Sequence, residues 1–214
     1  MKNSNPAPDS ALAADYRRRY DLVLQRIAGG LMSHIEDCLR GQLRIDKIAA
    51  RAKSIDRFLA KAGKVDEMGR PKYDDPLHQI QDQIGARIVV FYKSDVDRVN
   101  RLVLKYFTPI ETQKLVPEKE SEFGYFGQHY VLVLPSDVIE SDMDKSLVPA
   151  FFELQVKTLF QHAWSEADHD LGYKPGGDPL TLEQKRLIAF TAAQAWGADH
   201  MFDRLFSERN PNCR

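Results

Sequence analysis

The stretch FFELQVKTLFQHAWSEADHDLGYK, residues 151–174, restricts the fold more than any other part of the chain. Its first half is apolar and short in period, and its second half is helical in period, so a strand runs directly into a helix. Side chains alternate along a strand, which sends Glu153, Gln155 and Lys157 to one face and Leu154, Val156 and Thr158 to the other. A charged group on a central strand is costly unless it is paired, hydrogen-bonded or bound to a cation. A continuous polar face of this kind is therefore either a solvated edge or the floor of a cleft.

The remaining elements follow from the same two periods. Apolar residues recur at three- and four-residue steps from Tyr20 to Leu39, interrupted by Gly29-Gly30, which predicts two helices or one kinked helix over 11–42. Residues 44–52 read as a strand, and Ser54 opens a short helix that stops at Gly63. GKVDEMGRPKYDDP, residues 63–76, has the Gly, Pro and charge content of a functional or mobile loop able to close over a ligand. ARIVVFYK, residues 86–93, is a buried strand, and the helix 94–107 follows it with Ser94 as the expected N-cap. ETQKLV, QHYVLVLP and FFELQVK add strands, while 158–174 and 181–208 are helical. The expected fold is α+β, a mixed sheet of about five strands flanked by helices. The expected division is an N-terminal helical segment at 1–43, a core at 44–174, and a C-terminal helix and tail at 175–214.

With 30 Lys and Arg against 31 Asp and Glu, the net charge is -1, so attraction to phosphate must come from local clustering and a general nucleic-acid coat is disfavoured. No stretch approaches the roughly 18 apolar residues of a membrane span, and the start MKNSNPAPDS lacks a signal-type apolar segment. Cys38 and Cys213 make neither a disulfide framework nor a metal knuckle, and Cys38 reads as a small apolar residue. A soluble cytoplasmic protein is the expectation.

Local clustering does occur. Arg51 and Lys53 share a strand face, and Arg57 and Lys61 share a helix face four residues apart, so four cations can converge at one strand-to-helix corner. Free backbone N–H groups at such a corner make it a seat for a polyphosphate, although a solvated basic helix has the same pattern. Asp82, just ahead of Gly85 and Arg87, is placed as a hard-cation ligand or as an ordinary turn residue. EFGYFGQHY, residues 122–130, spaces Phe123, Tyr125 and Phe126 with glycines ahead of His129, which suits base stacking or a packed hairpin turn. His162, Glu166 and His169 recur at i, i+4 and i+7, a metal-capable spacing that a histidine paired with a carboxylate also produces. Trp164 and Trp196 read as core or interface fillers.

In order, the Arg51-x-Lys53-x(7)-Lys61 run, the Asp82-x-x-Gly85-x-Arg87 step, the Gly124-Tyr125-x-x-x-His129 turn, the Glu153-x-Gln155 strand and the His169-x-Leu171-x-Tyr173-Lys174 helix end resemble the synthetase domain of RelA/SpoT alarmone enzymes, over residues 44–174. The resemblance implies a nucleotidyltransferase-like domain of the stand-alone small synthetase or toxin type. It implies transfer of pyrophosphate from ATP to the 3′-hydroxyl of GTP or GDP, with an adenine nucleotide or the tRNA 3′ end as alternative acceptors, or a silent binding member. On this pattern Arg51 and Arg87 sandwich adenine, and Lys53 and Lys61, with Arg57 beside them, hold the donor phosphates. Asp82 and Glu153 are the catalytic pair and bind Mg²⁺, and Glu153 also activates the acceptor hydroxyl. Tyr125, His129, Gln155 and Lys114 serve the acceptor. Departures from the family pattern fall at Arg57, Gly127 and Lys157. Family partners include an antitoxin and further copies of the chain, for which helices 11–42 and 181–208 offer amphipathic faces.

Overall fold

The computed structural model describes residues 8–115, 123–124, 127–172 and 179–211. The first two helices, α1 (Pro8–Arg19) and α2 (Gln25–Cys38), are joined without a break by a π-turn at Tyr20–Leu24, in which the Gln25 N–H donates to the Tyr20 carbonyl. Sequence periodicity placed the interruption at Gly29-Gly30, but both glycines lie inside α2, where Gly30 packs against Val138. The π-turn has a periodic cause. The inward rows Tyr16-Tyr20-Leu24-Ala28 and Arg19-Val23-Ile27-Leu31-Ile35 step by four residues. An α-helix turns every 3.6 residues, so such rows drift by about 40° per step, and one wide turn takes up the drift.

Strand β1 (Ile45–Ala52) leads into α3 (Ile55–Ala62). The 63–76 stretch then folds on itself: Val65 bridges Pro71, the Asp66 carboxylate accepts from the Met68 and Arg70 N–H groups at 2.9 Å, and Gly69 supplies the positive φ of 76°. The short α4 (Pro76–Gln79) and a 3₁₀ turn (Gln81–Gln83) precede β2 (Ile84–Val90). Helix α5 (Lys93–Tyr106) follows, capped at Tyr92 by the Asp95 carboxylate, which accepts the Tyr92 N–H at 3.3 Å; Ser94, the expected cap, instead donates its N–H to Asp203 at 2.9 Å. Asp95 wins because its carboxylate also meets two guanidinium groups. Strands β3 (Pro109–Leu115), β4 (Gly127–Val133) and β5 (Phe151–Thr158) complete the sheet, and α6 (Leu159–Gly172) and α7 (Leu182–Arg209) close the chain.

The five strands are ordered β1-β2-β5-β4-β3, with β2 and β5 parallel and every other neighbour antiparallel. One sheet face carries Ile84, Ile88 and Val90 of β2 with Phe152, Leu154 and Val156 of β5, all fully buried. Each such side chain contributes about 1.5 to 3 kcal/mol of burial. Helix α2 lies along β1 and β2, and α5 along β2 and β5. Tyr16, Leu24, Ile27 and Leu31 of the leading helices belong to the same core cluster, so the segment before residue 44 is packed into the sheet's own core. Cys38 packs half-buried against it. Helix α7 leaves Leu187, Phe190, Met201 and Phe202 exposed. Among the described residues no helix is long and apolar enough to cross a membrane.

The β1–α5 junction hangs on Asp95, 1% exposed, which accepts from Arg44 Nε at 3.0 Å and from Arg98 Nη2 at 2.9 Å. Removing one partner of a buried ionic cluster leaves the others uncompensated. Asp95→Ala is expected to cost about 3 to 5 kcal/mol, read as a drop in the urea midpoint at unchanged m-value; a change under about 1 kcal/mol, the scale of an exposed pair, would contradict this role.

Candidate active site

Register assembles the second face of the sheet. Glu153 stands beside Gly85 of β2 and Val131 of β4, and Gln155 stands between Arg87 and His129. Arg51 of β1 lies opposite Gly85 on its other side. Glu153, Gln155, His129, Arg87 and Arg51 therefore project from one face, and none of them is fully buried. β5 is central in the sheet, so its polar face is the floor of a cleft and not a wet edge. Glu153 Oε1 accepts from Gln155 Nε2 at 2.5 Å and lies 3.5 Å from His129 Nδ1. Burial lowers the pKa of His129 more than Glu153 raises it, with Lys157 adding to the depression, so the ring is neutral at pH 7.

Next to this floor a cavity of about 350 Å³ is lined by Arg51, Lys53, Ser54, Arg57, Asp82 and Gly85. Asp82 sits in the 3₁₀ turn just before β2, and that turn packs against β5. Its carboxylate meets Lys53 Nζ at 2.7 Å and Lys61 Nζ at 3.0 Å. Burial pushes the Asp82 pKa up, the two ammonium groups outweigh that push, and the net shift is down. The strand-to-helix corner thus brings Arg51, Lys53 and Arg57 to one cavity with Asp82, whose carboxylate also pairs with Lys61. Arg51 titrates below its usual range because it is partly buried and faces Arg87 and Arg57. Mutual repulsion among these cations makes the corner a seat for an anion.

Helix α1 braces the corner. The Tyr16 hydroxyl donates to the Lys53 carbonyl at 2.8 Å, and its ring stacks on Phe58 with centroids 3.6 Å apart. Arg19, 4% exposed, donates to the Leu77 carbonyl at 2.6 Å and to Gln83 Oε1 at 3.0 Å, and Gln83 Nε2 in turn donates to the Leu77 and Ile80 carbonyls. These bonds hold the turn that carries Asp82. Tyr16, Arg19 and Gln83 were invisible as site residues in the sequence, because their role depends on contacts across 37 to 64 positions.

On the other side of the floor Arg87 Nη1 donates to Glu166 Oε1 at 2.6 Å and stands 3.4 Å from His162 Nδ1. The i, i+4 pair His162 and Glu166 is thus a partner for Arg87, and no group of three metal-capable side chains occurs among the described residues. Lys157, 5% exposed, reaches Ser165 Oγ at 3.2 Å from the same face. Its pKa falls to about 8, chiefly through burial and secondly through Arg87.

Lys114 is placed differently from the expectation. Its register partner is Gln128, next to Val156, which puts it on the opposite face of the sheet from His129 and Gln155. The alternation that groups Glu153 with Gln155 separates Lys114 from them. Tyr125, like Tyr173 and Lys174, lies outside the described residues.

A family model described as the region found in RelA/SpoT proteins matches residues 50–178. The chain belongs to the RelA/SpoT family. GTP pyrophosphokinase YjbM of Bacillus subtilis (strain 168) is 27% identical over 139 residues, a match that covers 63% of this chain and 59% of that protein. Two solved structures share the fold. The small alarmone synthetase 1 of Bacillus subtilis bound to its product pppGpp has a TM-score of 0.65 at 20% identity, covering 94% of this chain and 97% of the other. A GTP pyrophosphokinase family protein from Streptococcus pneumoniae has a TM-score of 0.68 at 21% identity, covering 97% of each. In this RelA/SpoT chain the five-stranded mixed sheet and its flanking helices are the family's architecture.

Lys157 offers a test of the site's electrostatics. Its folded pKa of about 8 lies below the ordinary 10.5, so between these values the unfolded chain binds the extra proton and stability rises with pH. Lys157→Met is expected to be more stable than the parent at pH 7, by on the order of 3 kcal/mol, with the difference closing as pH rises from about 8 to 10.5. A pH-independent difference in denaturation midpoints would show that the buried charge is not its cause.

Proposed function

We propose that this RelA/SpoT chain is an ATP-dependent nucleotide 3′-pyrophosphokinase that transfers pyrophosphate from ATP to the 3′-hydroxyl of GTP or GDP and releases AMP. The observation that carries the proposal is the adjacency of Glu153, through its strand neighbour Gly85, to the cavity that collects Arg51, Lys53, Arg57 and Asp82. A carboxylate able to take a proton thus stands beside a cationic seat for a triphosphate. The names of the curated relative and of the pppGpp-bound structure support the same substrate class.

The reaction forms a bond between the acceptor 3′-oxygen and the β-phosphorus of ATP and breaks the bond from that phosphorus to the α,β-bridging oxygen, which leaves on AMP. Glu153 takes the proton of the 3′-hydroxyl. The Gln155 amide, donating to Glu153 Oε1, fixes the rotamer and keeps the other oxygen available. Neutral His129, against Glu153, holds the acceptor as a hydrogen-bond partner and adds no charge. Lys53, Lys61, Arg51 and Arg57 neutralise and align the polyphosphate, which is most of what a protein does in such transfers. Arg87, held rigid by Glu166, forms the side wall next to Arg51. Helix α1 keeps the corner in place before substrate arrives.

The oxygen donors fit Mg²⁺. This ion binds through one or two carboxylates and completes its shell with substrate phosphate and water. Asp82 and Glu153 would hold it, and when bound it supplies further neutralisation of the polyphosphate charge. Lys53 donates to Asp82 Oδ2 at 2.7 Å, and Lys61 pairs with Oδ1 at 3.0 Å.

Glu153→Gln keeps the shape of the side chain and removes its basicity. AMP release from ATP and GTP is expected to fall at least about a hundredfold, with thermal midpoint and circular dichroism unchanged; near-normal AMP release refutes the assignment. Following γ-labelled ATP with GTP, GDP, an adenine nucleotide or tRNA as sole acceptor tests the substrate: label found only in RNA overturns the guanosine acceptor, and no ATP consumption with any acceptor overturns the enzyme.

A further inference from the structure

Both tryptophans of the chain, Trp164 and Trp196, line a cavity of about 440 Å³ that the proposed reaction does not use. It lies under α5, α6 and α7 on the apolar face of the sheet. Its floor is Val156 and Gln128, register partners of each other, whereas Glu153, Gln155 and His129 project from the other face. The sheet itself separates the two sites, and the cavity's size is that of a small-molecule pocket.

Its polar inventory is incomplete on one side. Asp199 is 3% exposed; one carboxylate oxygen accepts from Thr158 Oγ1 at 2.7 Å, and Oδ1 is buried with no hydrogen-bond partner among the described residues. Asn100 Oδ1, on the α5 wall of the same cavity, is likewise buried without a partner. Burial raises the Asp199 pKa to about 6, so the group is ionised at pH 7. A buried acceptor left unsatisfied is costly, and an N–H donor entering the cavity removes that cost. Lys93 and Lys114 balance Asp97 and Asp199 in the lining, and Lys93 Nζ stands 2.5 Å from His200 Nε2, so the site calls for no added charge. The matching donor is neutral. The remaining walls are the indoles with Val96, Ala192 and Ala195, which suit a flat ring.

We propose that this cavity is a second binding site, separate from the catalytic face, for an amino-substituted aromatic base, whose exocyclic amino group donates to Asp199 while the ring lies among Trp164, Trp196 and Val156. Ligand entry must alter indole emission, because no tryptophan lies elsewhere in the chain.

The test is tryptophan fluorescence of the full chain titrated with adenosine, guanosine and purine riboside, the last having the adenosine ring without its amino group. A saturable change with adenosine or guanosine is expected, at least about tenfold weaker with purine riboside, as for loss of one buried hydrogen bond; the tighter of the two nucleosides identifies the base. Asp199→Leu, of similar size and without an acceptor, is expected to abolish the change at unaltered circular dichroism, and Lys53→Ala, in the catalytic corner, to leave it intact. No change with either nucleoside, equal binding of purine riboside, or a change lost in Lys53→Ala and kept in Asp199→Leu overturns the proposal. AMP release is read independently of this signal, so the fate of the catalytic reading does not decide it.

Discussion

The structure depends on β5 being a central strand with unlike faces. Hydrogen-bonded to β2 on one side and β4 on the other, it cannot turn Glu153 or Gln155 to an edge. Phe152, Leu154 and Val156 commit the opposite face to the core. A one-residue slip would bury Glu153 and Gln155 and expose the core, so the hydrophobic set locks the register. That same lock sets Glu153 beside Gly85 and His129 diagonally across the floor. Packing energy thereby positions chemistry, since the residues that stabilise the strand are the ones that hold the carboxylate at a fixed depth and angle.

The cationic corner follows a similar economy of parts. Several positive groups held within reach of one another destabilise a ligand-free protein, and Asp82 offsets this by accepting from Lys53 and by its ion pair with Lys61. The arrangement is stiffened from outside the sheet, by Tyr16 on the Lys53 carbonyl and by Arg19 on the turn that carries Asp82. Donor groups held in place beforehand need little rearrangement when a polyphosphate binds, and this is where the proposed transfer gains most. The wide turn at Tyr20–Leu24 contributes here, because it lets one helix keep both Tyr16 at the corner and Ile35 in the core.

The two faces of the sheet divide the polar groups between two enclosures. Arg87, Glu166, His162 and Lys157 close the side of the polar floor nearest α6, where Glu166 pairs with Arg87 while Lys157, buried beside Arg87, is held at a lowered pKa. Across the sheet, Thr158 follows Lys157 by one position and points to Asp199 on α7. One step along β5 is thus enough to pass from one enclosure to the other.

Much of this was legible in the chain itself. Periods of two and of three to four residues give the five strands and the main helices, because burial of one face is a local constraint written into neighbouring positions. The grouping of Glu153 with Gln155, and of Arg51 and Lys53 with Arg57 and Lys61, is readable for the same reason. What only the tertiary structure decided depends on register and on distant partners. Lys114 left the acceptor group because pairing with Gln128 turned it to the other face. Asp95 displaced Ser94 as the cap because Arg44, 51 residues away, reaches it, and Asp199 became a buried acceptor only when α7 met β5. Local periodicity says which way a side chain points from its own element; which elements lie against it, and so what it can bind, is settled only when the sheet is assembled.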